Sequence, residues 1–176
     1  MENKTVVIYK SKYGSSKKYA AWIALKLDAD LYEIKDITPS QLDQYNTVIY
    51  GAGVYAGRIN GIKFINKNIN RLQSKNTIVF AVGIESDLYN VKEMLELNIN
   101  KDFVKKIDVF RFLGEFDYNN LGVIDKIAMK ALKMKIEKKE KLSSDEKLIL
   151  EGFNRKIDLC DKKSIDRLLE TVLKYN

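Results

Sequence analysis

Histidine is missing from all 176 residues, and cysteine occurs once, at Cys160. Without an imidazole there is no Ser-His-Asp triad, no Cys-His pair and no His-ligated metal site; no metal is expected. If such a chain catalyses a reaction, a cofactor carries the chemistry. One thiol excludes an internal disulfide and fits a reducing compartment, so the cytoplasm is the expected location. No apolar run is long enough to cross a bilayer, and Met1-Glu2-Asn3-Lys4 does not read as a signal peptide. Internal repeats, low-complexity tracts and linkers are also lacking.

What is present describes a globular chain. Hydrophobic residues make up 45% and charges are spread throughout. The length suits one domain, 1–176, with a full core. A net charge of +7 favours anionic partners such as a membrane surface or an acidic protein. Lysine is abundant along the whole sequence, however, and no nucleic-acid motif accompanies it, so nucleic acid is not an expected partner.

Short apolar runs at 5–9, 30–35, 46–50, 77–82 and 107–113 alternate with helical stripes. The stripes are Ala20, Ile23, Ala24 and Leu27; Ile62, Ile65, Ile69 and Leu72; Leu88, Val91 and Leu95; and Ile165, Leu168, Leu169 and Val172. Strict alternation with nearly continuous apolar strands predicts an α/β fold: a doubly wound, five-stranded parallel sheet in the order 2-1-3-4-5. Ligands in such sheets bind at the carboxyl ends of the strands, where the winding reverses. The turns 11–16, 51–58 and 83–90 should therefore surround one cleft.

The first of these turns is the most informative. The run Val6-Val7-Ile8-Tyr9 stops at Ser11-Lys12-Tyr13-Gly14-Ser15-Ser16, and a helical pattern begins at once. Free N–H groups and the helix dipole make such a junction a phosphate holder. An ordinary βα turn with a Ser cap has the same composition.

One segment, 119–159, exceeds any normal αβ connection. Ile124, Ile127, Ala128, Ala131 and Met134 form an apolar stripe among many lysines, and Ser143-Ser144-Asp145-Glu146 has the form of a capping box. Two short helices packed on the outside of the sheet are expected there.

The stretch Ser11 to Ser16 resembles the flavodoxin phosphate loop, T/S-x-T-G-x-T, with Tyr13 in place of the central Thr. Three later stretches, Gly51-Ala52-Gly53-Val54-Tyr55-Ala56-Gly57-Arg58, Phe80-Ala81-Val82-Gly83 and Leu113-Gly114-Glu115-Phe116-Asp117-Tyr118, follow in order. Together they resemble flavodoxin-type, menaquinone-dependent protoporphyrinogen IX dehydrogenases and related flavodoxin-domain proteins. The resemblance implies FMN as cofactor. Its phosphate would lie against Ser11, Lys12, Tyr13, Gly14, Ser15 and Ser16, held by backbone N–H and hydroxyl groups. The flavin ring would lie between Ala52, Gly53, Val54, Tyr55 and Gly57 on one side and Val82, Gly83, Ile84 and Tyr89 on the other. Tyr55 is the first choice for stacking on it and Tyr89 the second, although either could be a packing residue. Trp22 reads as a flank residue. Arg58, if close to the ring, would raise the flavin potential; it could equally be a solvated cation.

The resemblance also implies electron transfer through FMN to a quinone, with the basic insertion resting on anionic lipid or simply packed. The alternative is a non-enzymatic carrier between redox partner proteins. No catalytic residue can be named, and Glu85 and Asp87 are the nearest carboxylates. Gly51 to Gly57 also has a dinucleotide-like look, but the third glycine comes one place too late and the strand is not the first. A phospho-receiver would place an aspartate where Tyr50-Gly51 stands.

Overall fold

A computed structural model describes residues 4–84 and 91–175 of the chain. In chain order it contains β1 (Thr5–Lys10), α1 (Ser15–Leu27), β2 (Asp30–Glu33), β3 (Thr47–Tyr55), β4 (Arg58–Ile59), α2 (Lys63–Lys67), α3 (Ile69–Leu72), β5 (Asn76–Gly83), α4 (Val91–Asn98), α5 (Lys101–Val104), β6 (Ile107–Leu113), β7 (Glu115–Phe116), α6 (Val123–Ile136), α7 (Ser144–Glu151), β8 (Ile157–Asp158) and α8 (Asp166–Leu173). The main sheet runs β2-β1-β3-β5-β6, all parallel, with β4 added antiparallel to β3. This is the doubly wound α/β fold and the strand order expected from the sequence.

Both faces of the sheet are covered because its strands are apolar on both sides. Val6, Ile8, Val48, Tyr50 and Val79 face one core with Ile65, Leu72 and Met94 of α2, α3 and α4. Val7, Tyr9, Ile49, Ile78 and Phe80 face the other, against Tyr19 and Ile23 of α1 and Leu168 and Val172 of α8. The reversal lies between β1 and β3, so the carboxyl ends of those strands and of β5 open onto one crest.

Four local expectations are corrected. First, β3 continues through Gly51, Ala52, Gly53 and Val54 to Tyr55, and then turns into β4 instead of opening into a loop after Tyr50. Strand pairing holds the glycines in line, with Gly51 opposite Phe80 and Gly53 opposite Val82. Gly51 is obligatory, since a Cβ there would lie 1.7 Å from Phe80 Cζ. Second, the stripe from Ile62 to Leu72 is buried as expected at Ile62, Ile65 and Leu72, but its helix breaks at Asn68. The Asn68 side chain donates to Phe64 O at 2.8 Å, competing with the helical ladder. Third, β2 ends at Glu33, short of Lys35.

The fourth correction concerns the insertion. Its two helices form, and Ser143 and Glu146 cap α7 reciprocally as the capping box requires. Yet the stripe expected to pack on the sheet faces outward: Ile124 is 80% and Ile127 65% exposed. Ala128, Ala131 and Met134 are exposed with them. The opposite side of α6, with Met129, Leu132 and buried Ile136, turns inward. A short antiparallel pair, β7 with β8, fastens the two ends of this segment together. Lys18 of α1 pairs with both strands, reaching Glu115 at 3.2 Å and Asp158 at 3.1 Å, and Lys156 reaches Glu115 at 2.8 Å. The two carboxylate contacts push the Lys18 pKa up to about 12. Lys18 Nζ also lies 5.6 Å from the ring centroid of half-buried Trp22.

Candidate functional site

The turn after β1 delivers the chain into α1 through Gly14, whose φ of 102° a glycine adopts without penalty. The first helical bond of α1 runs from Lys18 N–H to Gly14 O at 3.0 Å. The N–H groups of Ser15, Ser16 and Lys17 therefore have no partner within the helix, and no side chain caps them. Nor is there an acidic residue in the first turn of α1 to neutralise them. Ser16 is only 3% exposed, and its hydroxyl bonds to no other described residue. Nothing stands within 4 Å of a Cβ built on Gly14. Three amides without a helical partner, a free hydroxyl and the positive end of a helix are donors suited to an anion.

The other side chains of the turn are already engaged. Ser11 Oγ accepts from Gly14 N–H at 3.1 Å and shapes the turn. Ser15 Oγ accepts from Glu115 N–H at 3.0 Å, tying α1 to β7. Lys12 and Tyr13 point away from the amides toward α6, where both bind the Asp125 carboxylate, Lys12 Nζ at 2.5 Å. Gly122 N–H donates to Tyr13 Oη at 3.1 Å, completing the link. Asp125 is held below the ordinary carboxylate range by the Lys12 hydrogen bond first and by Tyr13 second. No local pattern announces this contact, because 113 residues separate Lys12 from Asp125.

The second wall is the β3–β4 hairpin. Ala56 (φ 47°) and Gly57 (φ 75°) form its two-residue turn, both left-handed, which matches the twist of the ribbon. Asn98, 5% exposed at the end of α4, fixes the hairpin from behind. Its Oδ1 accepts from Ile59 N–H at 2.8 Å, and its Nδ2 donates to Gly57 O at 2.7 Å. The Tyr55 ring leans back over Gly53, where a Cβ would lie 3.0 Å from ring atoms. It also meets the Tyr13 ring edge-on at 6.5 Å and carries Lys12 Nζ 5.7 Å from its centroid. Burial pushes the Tyr55 phenol up to about 12, with Lys12 opposing.

The structure thus brings Ser11 to Ser16, Gly53 and Tyr55 to one crest. Ala52 is fully buried, and Ala52 and Val54 both pack into the core beneath. Val82 is 4% exposed and flanked by Gly53 and Phe112, while Gly83 O accepts from Gly114 N–H at 2.8 Å. Ile84 is half-buried at the end of β5. Tyr89, with Glu85, Asp87 and Leu88, lies outside the described residues. Arg58, opposite Tyr55 in the hairpin, donates to Leu97 O at 3.1 Å.

A family model described as flavodoxin domain matches residues 6–144. The chain belongs to the flavodoxin-domain family. An uncharacterized protein of Methanocaldococcus jannaschii is 33% identical over 67 residues, which is 36% of this chain and 45% of that protein. The chain thus spans less than half the length of that relative. Oxidised Flavodoxin 2 from Bacillus cereus is 18% identical, with 62% of this chain and 84% of that one covered and a TM-score of 0.48. The Trp repressor binding protein from Bacillus subtilis is 16% identical, with coverage of 63% and 83% and a TM-score of 0.49.

FMN is the cofactor of a flavodoxin domain, and the residues here fit its phosphate. The amides of Ser15, Ser16 and Lys17 and the Ser16 hydroxyl, which have no partner among the described residues, are donors matched to a dianion, while Gly14 leaves the approach open. Tyr13 does not offer its hydroxyl to that site, since Asp125 takes it.

Proposed function

We propose that this flavodoxin domain is an FMN-dependent oxidoreductase that passes electrons to a quinone at an anionic membrane surface. The observation that carries the redox reading is the α1 terminus, where three amides have no partner among the described residues. FMN bound there supplies the electron transfer. The chain's own part is to anchor the phosphate at Ser15, Ser16 and Lys17 and to shield the ring with Tyr55.

The membrane contact is supported by α6. Its outward face holds Val123, Ile124, Ile127 and Met134, all at least 62% exposed, with lysines at 126, 130 and 135 on either side and no acidic residue among them. An apolar stripe between lysines suits the boundary of an anionic bilayer, where ammonium groups reach the headgroups. No helix among the described residues is long and apolar enough to cross a membrane. The porphyrinogen substrate rests on the sequence resemblance around the insertion.

The test is an absorbance spectrum of the purified protein, then an anaerobic assay with protoporphyrinogen and a menaquinone analogue. Yellow protein that turns over both supports the enzyme. Yellow protein inert to both but reduced by a partner reductase identifies a carrier, and apoprotein that ignores micromolar FMN ends the redox reading. Sedimentation with anionic vesicles at low salt tests the membrane contact separately.

A further inference from the structure

Among the described residues, several cations pair with a carboxylate: Lys12 with Asp125, Lys35 with Glu33, Arg71 with Asp43 and Lys139 with Glu146. A groove of about 720 Å³ lies beside the β3–β4 hairpin. Lys10, Arg58, Lys63 and Lys67 line it, and no carboxylate among the described residues does. Lys63 and Lys67 stand four residues apart on α2, an arrangement of like charges that weakens a helix. Gly61 makes room for the Lys10 stem, since a Cβ there would come within 2.8 Å of Lys10 Cδ. The Arg58 guanidinium is fixed by its bond to Leu97 O, which leaves other N–H groups free. Between the cations the wall is apolar, with Ile34, Ile62 and Phe64.

A concave surface of this volume with an apolar wall and a few placed charges has the size and lining of a small-molecule site. We propose that this groove is a second ligand site, for a small organic molecule carrying two or more carboxylate, sulfonate or phosphate groups on an apolar body. It adjoins the cofactor crest through the Tyr55–Arg58 pair but does not depend on FMN being bound. The anionic groups meet Lys63, Lys67 and Arg58, and the apolar body lies on Phe64 and Ile34.

The test is titration calorimetry with two trianionic probes, the flat aromatic pyranine (hydroxypyrene trisulfonate) and the non-aromatic citrate. Pyranine is expected to bind once per chain and more tightly than citrate. Replacing Lys63→Gln and Lys67→Gln together should weaken it roughly tenfold, the scale of one charge-assisted contact. The pair Lys162→Gln and Lys163→Gln removes the same net charge from an exposed remote turn and should leave the affinity unchanged. Unaltered thermal unfolding of both variants shows that the comparison is between folded proteins. Absence of saturable binding, equal weakening by both pairs, or equal affinity for the two probes overturns the proposal. So does displacement of pyranine by FMN, which would place the probe in the cofactor cleft. Loss of FMN binding alone leaves this inference standing and removes the redox reading instead.

Discussion

Two single residues carry much of the crest. Gly51 lies under Phe80, so Gly51→Ala must push an aromatic ring out of a filled core. We expect a loss of about 1–3 kcal/mol in urea unfolding, the range for overpacking. Gly83 has nothing within 4 Å of a built Cβ and no left-handed φ, so Gly83→Ala should change stability by less than about 0.5 kcal/mol. A second prediction concerns Asp125. Its folded pKa is lowered, so its contribution is present above the unfolded value of about 3.9 and is lost as pH falls through the folded value. Asp125→Asn should therefore cost up to about 1 kcal/mol at neutral pH, because the Lys12 pair is partly solvated. That gap should close on acidification below the usual carboxylate range, as followed by urea unfolding at several pH values. Neither Asp125 nor Asn98 could be singled out from the sequence, because Asp125 binds side chains and Asn98 binds backbone groups that lie dozens of residues away.

At the level of elements, the strands were legible and the helix faces less so. β1, β3 and β5 are runs of β-branched and aromatic residues buried on both sides, and such runs have few other solutions. Helix α6 has two apolar stripes, one through Ile124, Ile127 and Met134 and one through Met129, Leu132 and Ile136. Periodicity alone does not choose between them. The narrower stripe won because Asp125 shares its side of the helix and binds Lys12 and Tyr13, and because Lys133 lies on that side, 4.9 Å from the Phe153 ring. The two sides should respond oppositely to substitution. Ile136→Ala should lower stability by about 2–4 kcal/mol, as for other buried aliphatic truncations. Ile127→Lys should leave unfolding within about 0.5 kcal/mol of wild type. In vesicle sedimentation only the Ile127 change should reduce binding. The junction of β1, Gly14 and α1 was legible because its geometry is local: a strand, a glycine and a helix start within a dozen residues.

The whole molecule is defined by its phenols as much as by its lysines. Tyr45, Tyr50, Tyr55 and Tyr175 all have raised pKa values, with burial the leading cause in each. Tyr45 and Tyr175 also donate to carboxylates, Asp30 and Asp108. Above pH 10 the unfolded chain gives up these protons while the folded chain keeps them, so stability falls as pH rises. For fully buried Tyr50 the slope is about 1.4 kcal/mol per pH unit. Alkaline unfolding should coincide with phenolate absorbance, and Tyr50→Phe should shift the transition to higher pH. The clasp of β7 on β8 has a different consequence. Since the long insertion leaves and rejoins the body at one pinned point, a cut at residues 138–142, between α6 and α7, would leave both pieces fastened to the body. Protein nicked there by limited proteolysis should stay in one piece on gel filtration and retain the cofactor.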